Sequence, residues 1–227
     1  MKSIVYLFCF ALFIFSTSSF SQETKVSINK TSNGFQLIKN NEPYYIKGAG
    51  AKSNFKKVFE SGANSIRIWS TNKSELLDSA YKYDLSVCLG IWVAQERNGF
   101  NYNDEYNVRS QIELIKKEIL RLKDHPSILL WGIGNEVDLQ YSNFKVWETI
   151  EEIAKFIKKV DPNHPTATVI AGLDPSKVFM IKKYCPSIDI LGINVYGAIE
   201  NAPLNVRRYG WDKPYIVTEW GVNGPFE

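Results

Sequence analysis

Histidine is nearly absent. The 227 residues contain two, His125 and His164, each directly followed by proline. Both fall in connections that lead from a helical stretch into the next apolar run, so a structural role is expected of each. A histidine-built zinc site and a Ser-His-Asp triad are therefore excluded together, and no metal ligands are assigned. Cysteine is scarce as well: Cys9 lies in the N-terminal apolar run, and Cys88 and Cys185 show no spacing that demands a disulfide, so both are expected as free thiols. No glycine-rich phosphate loop occurs, and no cofactor is expected. The net charge of +3 comes without a block of like charge, which argues against a nucleic-acid partner and against a membrane surface for the mature chain. Nothing in the composition sets the oligomeric state.

What is present is an ordinary globular composition, 44% hydrophobic and 22% charged, in a chain long enough for one domain with a sizeable core. The first residues stand apart. Lys2 precedes an apolar run from Ile4 to Phe15, followed by small polar residues up to Ser21. A charged start, a short apolar stretch and a small-residue end make residues 1–21 a signal peptide, which implies a secreted or periplasmic mature protein. Residues 22–43 read as an N-terminal β-hairpin. Val26 and Ile28 alternate with polar residues there, and Asn33-Gly34 is a turn signal.

From residue 44 to 227 short apolar runs alternate with amphipathic stretches. Strands are expected at 44–50, 64–69, 86–93, 127–134, 166–171, 188–195 and 215–218. Helices are expected at 53–61, 73–83, 104–123, 144–160, 176–184 and 201–209. The longest of these carries Ile112, Ile115, Ile119 and Leu122 as one stripe. This alternation predicts an α/β fold with a parallel sheet, read as a (β/α)8 TIM barrel. Seven strands are found and the sequence stops eight residues after Glu219, so the barrel is expected to be truncated after strand seven, as a fragment of a longer protein.

The chain is organised around residues 127–136, Ser-Ile-Leu-Leu-Trp-Gly-Ile-Gly-Asn-Glu. A buried parallel strand looks like this, and its carboxyl end is where barrels place chemistry. Residues 214–221, Pro-Tyr-Ile-Val-Thr-Glu-Trp-Gly, repeat the form. Glu136 and Glu219 can thus meet across a barrel mouth as the two carboxyl groups that a glycosidase needs. Alternation along each strand turns Gly134, Gly132 and Leu130 inward with Glu136, and Val217 inward with Glu219. In the second strand Ile66 and Ile68 belong against the helices, which turns Arg67 and Trp69 into the barrel. An inward guanidinium needs a carboxylate, and Glu219 is the natural one. Asn194 and Tyr196 share a face that reaches the same mouth. Arg67 and a Tyr196 hydroxyl favour an ionised Glu219, and apolar surroundings favour a protonated Glu136. Glu219 is then the nucleophile and Glu136 the acid/base. Trp69, Trp92 and Trp220 are candidates for sugar contact, whereas Trp131, Trp147 and Trp211 are expected in the packing. Glu96 and Arg97 could touch substrate or form a solvated ion pair.

These pieces resemble the clan A glycoside hydrolases, whose shared pattern is Asn-Glu after strand four and Glu after strand seven. They are most similar to the TIM-barrel catalytic domain of glycoside hydrolase family 2. The resemblance rests on Gly48, on Ser-Ile-Arg-Ile-Trp (65–69), on Trp-Gly-Ile-Gly-Asn-Glu-Val (131–137), on Asp-Ile-Leu-Gly-Ile-Asn-Val-Tyr (189–196) and on Thr-Glu-Trp-Gly (218–221). It implies a retaining mechanism on a β-linked carbohydrate, with Asn135 binding the sugar 2-hydroxyl and with Arg67 and Tyr196 positioning Glu219. The pattern is also similar to enzymes that cut or remodel β-1,3-glucans, so transglycosylation stays open. A non-catalytic carbohydrate-binding relative, or an inactive fragment, is the alternative. Two departures stand out: family 2 enzymes carry β-sandwich domains before the barrel, and their histidine-bearing motif after strand one is missing here.

Overall fold

The computed structural model describes residues 24–221, and the expected signal peptide lies outside them. The described chain begins with a small antiparallel sheet, β1 (Val26–Thr31), β2 (Gly34–Lys39) and β3 (Glu42–Pro43), in that order. Thr31 faces Gly34 across the first turn. Asn40 and Asn41 make the second, both with positive φ (51° and 69°), a conformation that asparagine tolerates and that matches strand twist.

Seven parallel strands follow: β4 (Gly48–Gly50), β5 (Ser65–Ile68), β6 (Ser86–Ile91), β7 (Ile128–Asn135), β8 (Thr166–Ala171), β9 (Ile190–Tyr196) and β10 (Tyr215–Gly221). They pair strictly in chain order. One helix fills each connection: α1 (Phe55–Glu60), α2 (Glu75–Tyr81), α3 (Glu105–Leu122), α4 (Lys145–Val160), α5 (Pro175–Tyr184) and α6 (Ala202–Arg208). This is a TIM barrel with seven of eight strands among the described residues, leaving a seam between β4 and β10.

The helices form where apolar residues recur at three and four. On α4 the buried positions include Val146, Trp147, Ile150, Ile153, Ala154 and Ile157, and on α3 they are Ile112, Ile115, Ile119 and Leu122. Starts are fixed chemically: Asp104 accepts from the Asn107 amide ahead of α3, and Asp174 accepts from the Ser176 and Lys177 amides ahead of α5, where Pro175 needs no partner for a missing N–H.

The core has two parts. Outward-facing strand residues such as Ile66, Leu89, Trp131, Ile133 and Ile193 pack under the helices. A second cluster, Val26, Leu129, Leu130, Ala167 and Ile190 with Ile28, Leu37, Tyr44, Cys88 and Ile216, fills the barrel floor and joins it to the N-terminal sheet. Hydrogen bonds secure that plug. The Val26 amide donates to the Asn163 carbonyl at 2.8 Å, and the Tyr44 hydroxyl donates to the Asn64 carbonyl at 2.8 Å.

Both histidines serve this structure. His164 is buried with Nδ1 2.9 Å from the Asp161 carboxylate, and the same carboxylate accepts from Trp131 Nε1 at 2.7 Å. His125 Nδ1 lies 2.9 Å from the Ser127 hydroxyl. Cys88 and Cys185 are free thiols. Burial pushes the Cys88 thiol up to about 11 against the opposing pull of Arg67. Trp131→Phe removes the indole N–H from a buried carboxylate and leaves part of the indole's volume unfilled. It should lower stability by about 1–3 kcal/mol in urea denaturation, with the buried β7 amides losing hydrogen-exchange protection in step.

Candidate active site

The two glutamates reach the barrel mouth through irregular backbone rather than through simple alternation. The pairing of β7 with β8 slips between Ile133 and Asn135, and Gly134 and Glu136 both have positive φ (72° and 50°). A Cβ at Gly134 would meet Val137 Cγ1 at 3.1 Å and Ile150 Cδ1 at 3.7 Å, on the helix side, whereas one at Gly132 would meet Cys88 Sγ at 3.7 Å, inside the barrel. Gly134 therefore does not share the inward face expected of it. The slip turns Asn135 and Glu136, which are consecutive, to the same mouth. The same happens in β10, whose pairing with β9 slips between Val217 and Glu219. Ile216, not Val217, packs into the floor cluster, and Thr218 and Glu219 both turn inward.

Arg67 lies at the centre, only 7% exposed. Its Nη1 donates to Glu219 Oε1 at 2.8 Å, to the Thr218 carbonyl at 3.2 Å and to Asn194 Oδ1 at 3.3 Å. Its Nη2 donates to Asn135 Oδ1 at 2.6 Å. Glu219 takes two further donors, Trp69 Nε1 to Oε1 at 2.9 Å and the Tyr196 hydroxyl to Oε2 at 2.8 Å. Three donors, one of them a guanidinium, thus converge on one carboxylate.

Glu136 is held differently. Asn194 Nδ2 donates to its Oε1 at 2.9 Å, and Arg97 Nη2 stands 3.8 Å from its Oε2. The expected apolar surroundings are thus replaced by one amide and a more distant guanidinium. Asn194 completes a chain between the carboxylates, because its Oδ1 accepts from Arg67 and from the Thr218 hydroxyl at 2.7 Å.

The tryptophans divide. Trp69 is a direct partner of the Glu219 carboxylate, a role that sugar stacking alone did not suggest. Trp220 is 70% exposed and lines, with Trp69, Tyr196 and Glu219, a cleft of about 610 Å³ along the β4–β10 seam. Trp92 is exposed just past the end of β6. Trp131, Trp147 and Trp211 are buried. Glu96 and Arg97 form no pair with each other. The Glu96 carboxylate accepts from the Ser142 and Asn143 amides at 2.7 and 2.9 Å, ahead of α4, while Arg97 faces Glu136. One participant went unseen in the sequence: Gln95, 2% exposed, whose Nε2 donates to the Asn135 carbonyl at 2.6 Å. A lone glutamine after a strand carries no periodic or charge signal that would mark it. Among the described residues no group of three or more His, Cys, Asp or Glu side chains could hold a metal ion.

Comparison with known proteins identifies the family and the fold. The family model for glycosyl hydrolases family 2, TIM barrel domain, matches residues 77–224, more than half of the chain. A β-galactosidase of Bacteroides ovatus is 27% identical over an alignment covering 70% of this chain and 22% of that protein. A β-glucuronidase of Paenibacillus borealis is 25% identical, covering 84% of this chain and 37% of its own length. Among solved structures, a β-glucuronidase of Bifidobacterium dentium superposes with a TM-score of 0.65 at 19% identity, covering 87% of this chain and 35% of that one. The chain thus spans well under half the length of these relatives.

The Tyr196 phenol is pushed above its ordinary value, first by its hydrogen bond to Glu219 and then by desolvation and the nearby carboxylates, against the pull of Arg67. Deprotonation would set a phenolate against a carboxylate, so the sign is upward and the hydroxyl remains a donor throughout the neutral range. In an ultraviolet titration, the phenolate step missing from Tyr196→Phe should therefore lie above about pH 10. In a Glu219→Gln background the Tyr196 step should move down.

Proposed function

The chain belongs to glycosyl hydrolases family 2 through its TIM barrel domain, and from that premise we propose that it cleaves β-glycosidic bonds by double displacement. The observation that carries this reading is the unequal treatment of two carboxylates joined by one network. Glu219 receives Arg67, Trp69 and Tyr196, and Glu136 receives the Asn194 amide. Glu219 attacks the anomeric carbon while Glu136 gives its proton to the departing glycosidic oxygen. A covalent glycosyl–Glu219 ester results. Glu136, now ionised, takes a proton from water as that water displaces Glu219, and the configuration is retained. An acceptor alcohol in place of water would give transglycosylation by the same route.

Arg67, Trp69 and Tyr196 hold Glu219 in its attacking position without competing for the carbon. Asn135, its oxygen held by Arg67 Nη2, is the proposed partner of the sugar hydroxyl next to the reacting carbon. Trp220 and Trp92 present exposed rings on which sugars can stack. The relatives named β-galactosidase and β-glucuronidase support a β-linked glycoside as the substrate class. The charged start and apolar run of residues 1–21 support export to the periplasm or beyond.

The test is turnover of aryl β-glycosides and β-glucans by the wild type and by Glu136→Ala and Glu219→Ala. Glu136→Ala should lose about 10²–10⁴-fold on unactivated substrates. Glu219→Ala should lose turnover and recover it with azide, giving a glycosyl azide of inverted configuration. Full activity in either variant would refute the assignment. Glycan binding without turnover by the wild type would favour a carbohydrate-binding role.

A further inference from the structure

Arg97 is held in place from beneath rather than by the carboxylate it faces. It sits in a single 3₁₀ turn, Glu96–Asn98, closed by Gly99 at φ +88°. Glu96 ties that turn to the chain ahead of α4 through the Ser142 and Asn143 amides. Buried Gln95 anchors it from below: its Oε1 accepts from Arg97 Nε at 2.9 Å and from Asn98 Nδ2 at 2.8 Å, while its Nε2 holds the Asn135 carbonyl at 2.6 Å. One amide side chain thus links the Arg97 guanidinium to the backbone that precedes Glu136.

The free end of that guanidinium stands 3.8 Å from Glu136 Oε2, too far for a hydrogen bond. Its Nη atoms have no other partner among the described residues. A side chain fixed at Nε and open at both Nη atoms presents a planar pair of donors. Glu136 is arranged to match. Asn194 occupies Oε1, so Oε2 is the oxygen left to protonate a glycosidic oxygen. A leaving group whose oxygen sits at Oε2 then places its next carbons beside the Arg97 donors.

We infer that Arg97 is a specificity-determining residue for the leaving group, binding the hydroxyls of a sugar unit on the far side of the scissile bond, and that Gln95 is its positioning residue. The inference rests on the reading of Glu136 as acid/base. It names the leaving group as a saccharide, a chemical class that a flat aryl alcohol does not share. Glu136 would donate the proton, and Arg97 would hold the departing sugar by paired hydrogen bonds to neighbouring hydroxyls.

A simpler role has the opposite sign. Were Arg97 only a charge beside Glu136, it would favour the carboxylate over the acid. Its removal would then help poor leaving groups, which need the proton, more than good ones, which do not.

The experiment compares kcat/KM for two substrates with one glycone. One is the 4-nitrophenyl β-glycoside that the wild type cleaves, and the other is a β-linked disaccharide with the same non-reducing sugar. The variants are Arg97→Met and Gln95→Leu. The disaccharide-to-aryl ratio should fall about 10–100-fold in Arg97→Met, the loss expected when a charged donor pair is removed, and should fall in the same direction in Gln95→Leu. The loss in Arg97→Met should sit in KM of the disaccharide more than in kcat. A ratio that is unmoved or that rises in Arg97→Met overturns the inference alone. Unchanged disaccharide turnover in Glu136→Ala overturns the acid/base reading, and the inference with it.

Discussion

A guanidinium inside a barrel is the constraint from which the mouth of this molecule follows. Arg67 is almost wholly buried, and leaving such a charge unpaired would cost several kcal/mol. Its fork therefore collects acceptors from three other strands: Asn135 at the end of β7, Asn194 on β9, and Thr218 and Glu219 on β10. These residues are distant in sequence, and satisfying one side chain brings them together. Fixing Glu219, fixing Asn135 and turning Asn194 toward Glu136 are consequences of the same requirement. A lysine could not replace Arg67, because a single ammonium has no rigid fork with which to span Glu219 and Asn135 at once.

Trp69 shows how the strands make room for that arrangement. Its Nε1 donates to the same Glu219 oxygen that Arg67 holds, and the Arg67 Cζ lies 5.2 Å from its ring. An indole this large can cross the mouth only where neighbouring strands are bare. A Cβ at Gly50 on β4 would come within 2.6 Å of Trp69 Cη2, and one at Gly90 on β6 within 2.6 Å of the Trp69 backbone carbon. Glycine on β4 is thus a packing condition for the indole that donates to Glu219, and glycine on β6 one for the close approach of the backbone that carries it.

Much of this was legible in the sequence, and the limits of legibility have physical causes. Apolar runs announced most of the strands, because a strand covered on both faces is largely apolar, as residues 128–133 of β7 are. Charge accounting found the partner of Arg67, since few carboxylates could lie at the carboxyl ends of strands. Parity failed at Gly134 and Val217, because the pairing slips in β7 and β10 each place one residue more on a strand than alternation allows. No two-residue period records such a slip, although a glycine directly before Asn135-Glu136 is the residue type that a left-handed backbone favours. Gln95 was hidden for another reason. Its hydrogen bonds depend on how a loop folds back beneath Asn135, which no local pattern encodes.

The scarcity of histidine then takes on a chemical meaning. Both imidazoles are committed near the amino ends of strands, His164 to Asp161 and His125 to Ser127, at the end where the N-terminal sheet closes the floor. On the proposed mechanism, proton transfer at the other end falls to carboxyl groups, which must be made unlike by their neighbours alone. On the proposed mechanism the barrel achieves this by distributing donors unequally. Glu219 has a guanidinium, an indole and a phenol on its two oxygens, whereas Glu136 has one amide on Oε1 and keeps Oε2 for the leaving group. An acid that must also act as a base one step later benefits from having few fixed partners, because each fixed donor would favour one protonation state over the other. A nucleophile that must be ionised at every encounter benefits from many. On that proposal the asymmetry of the network, more than the position of either glutamate at a strand end, is what supports the two roles.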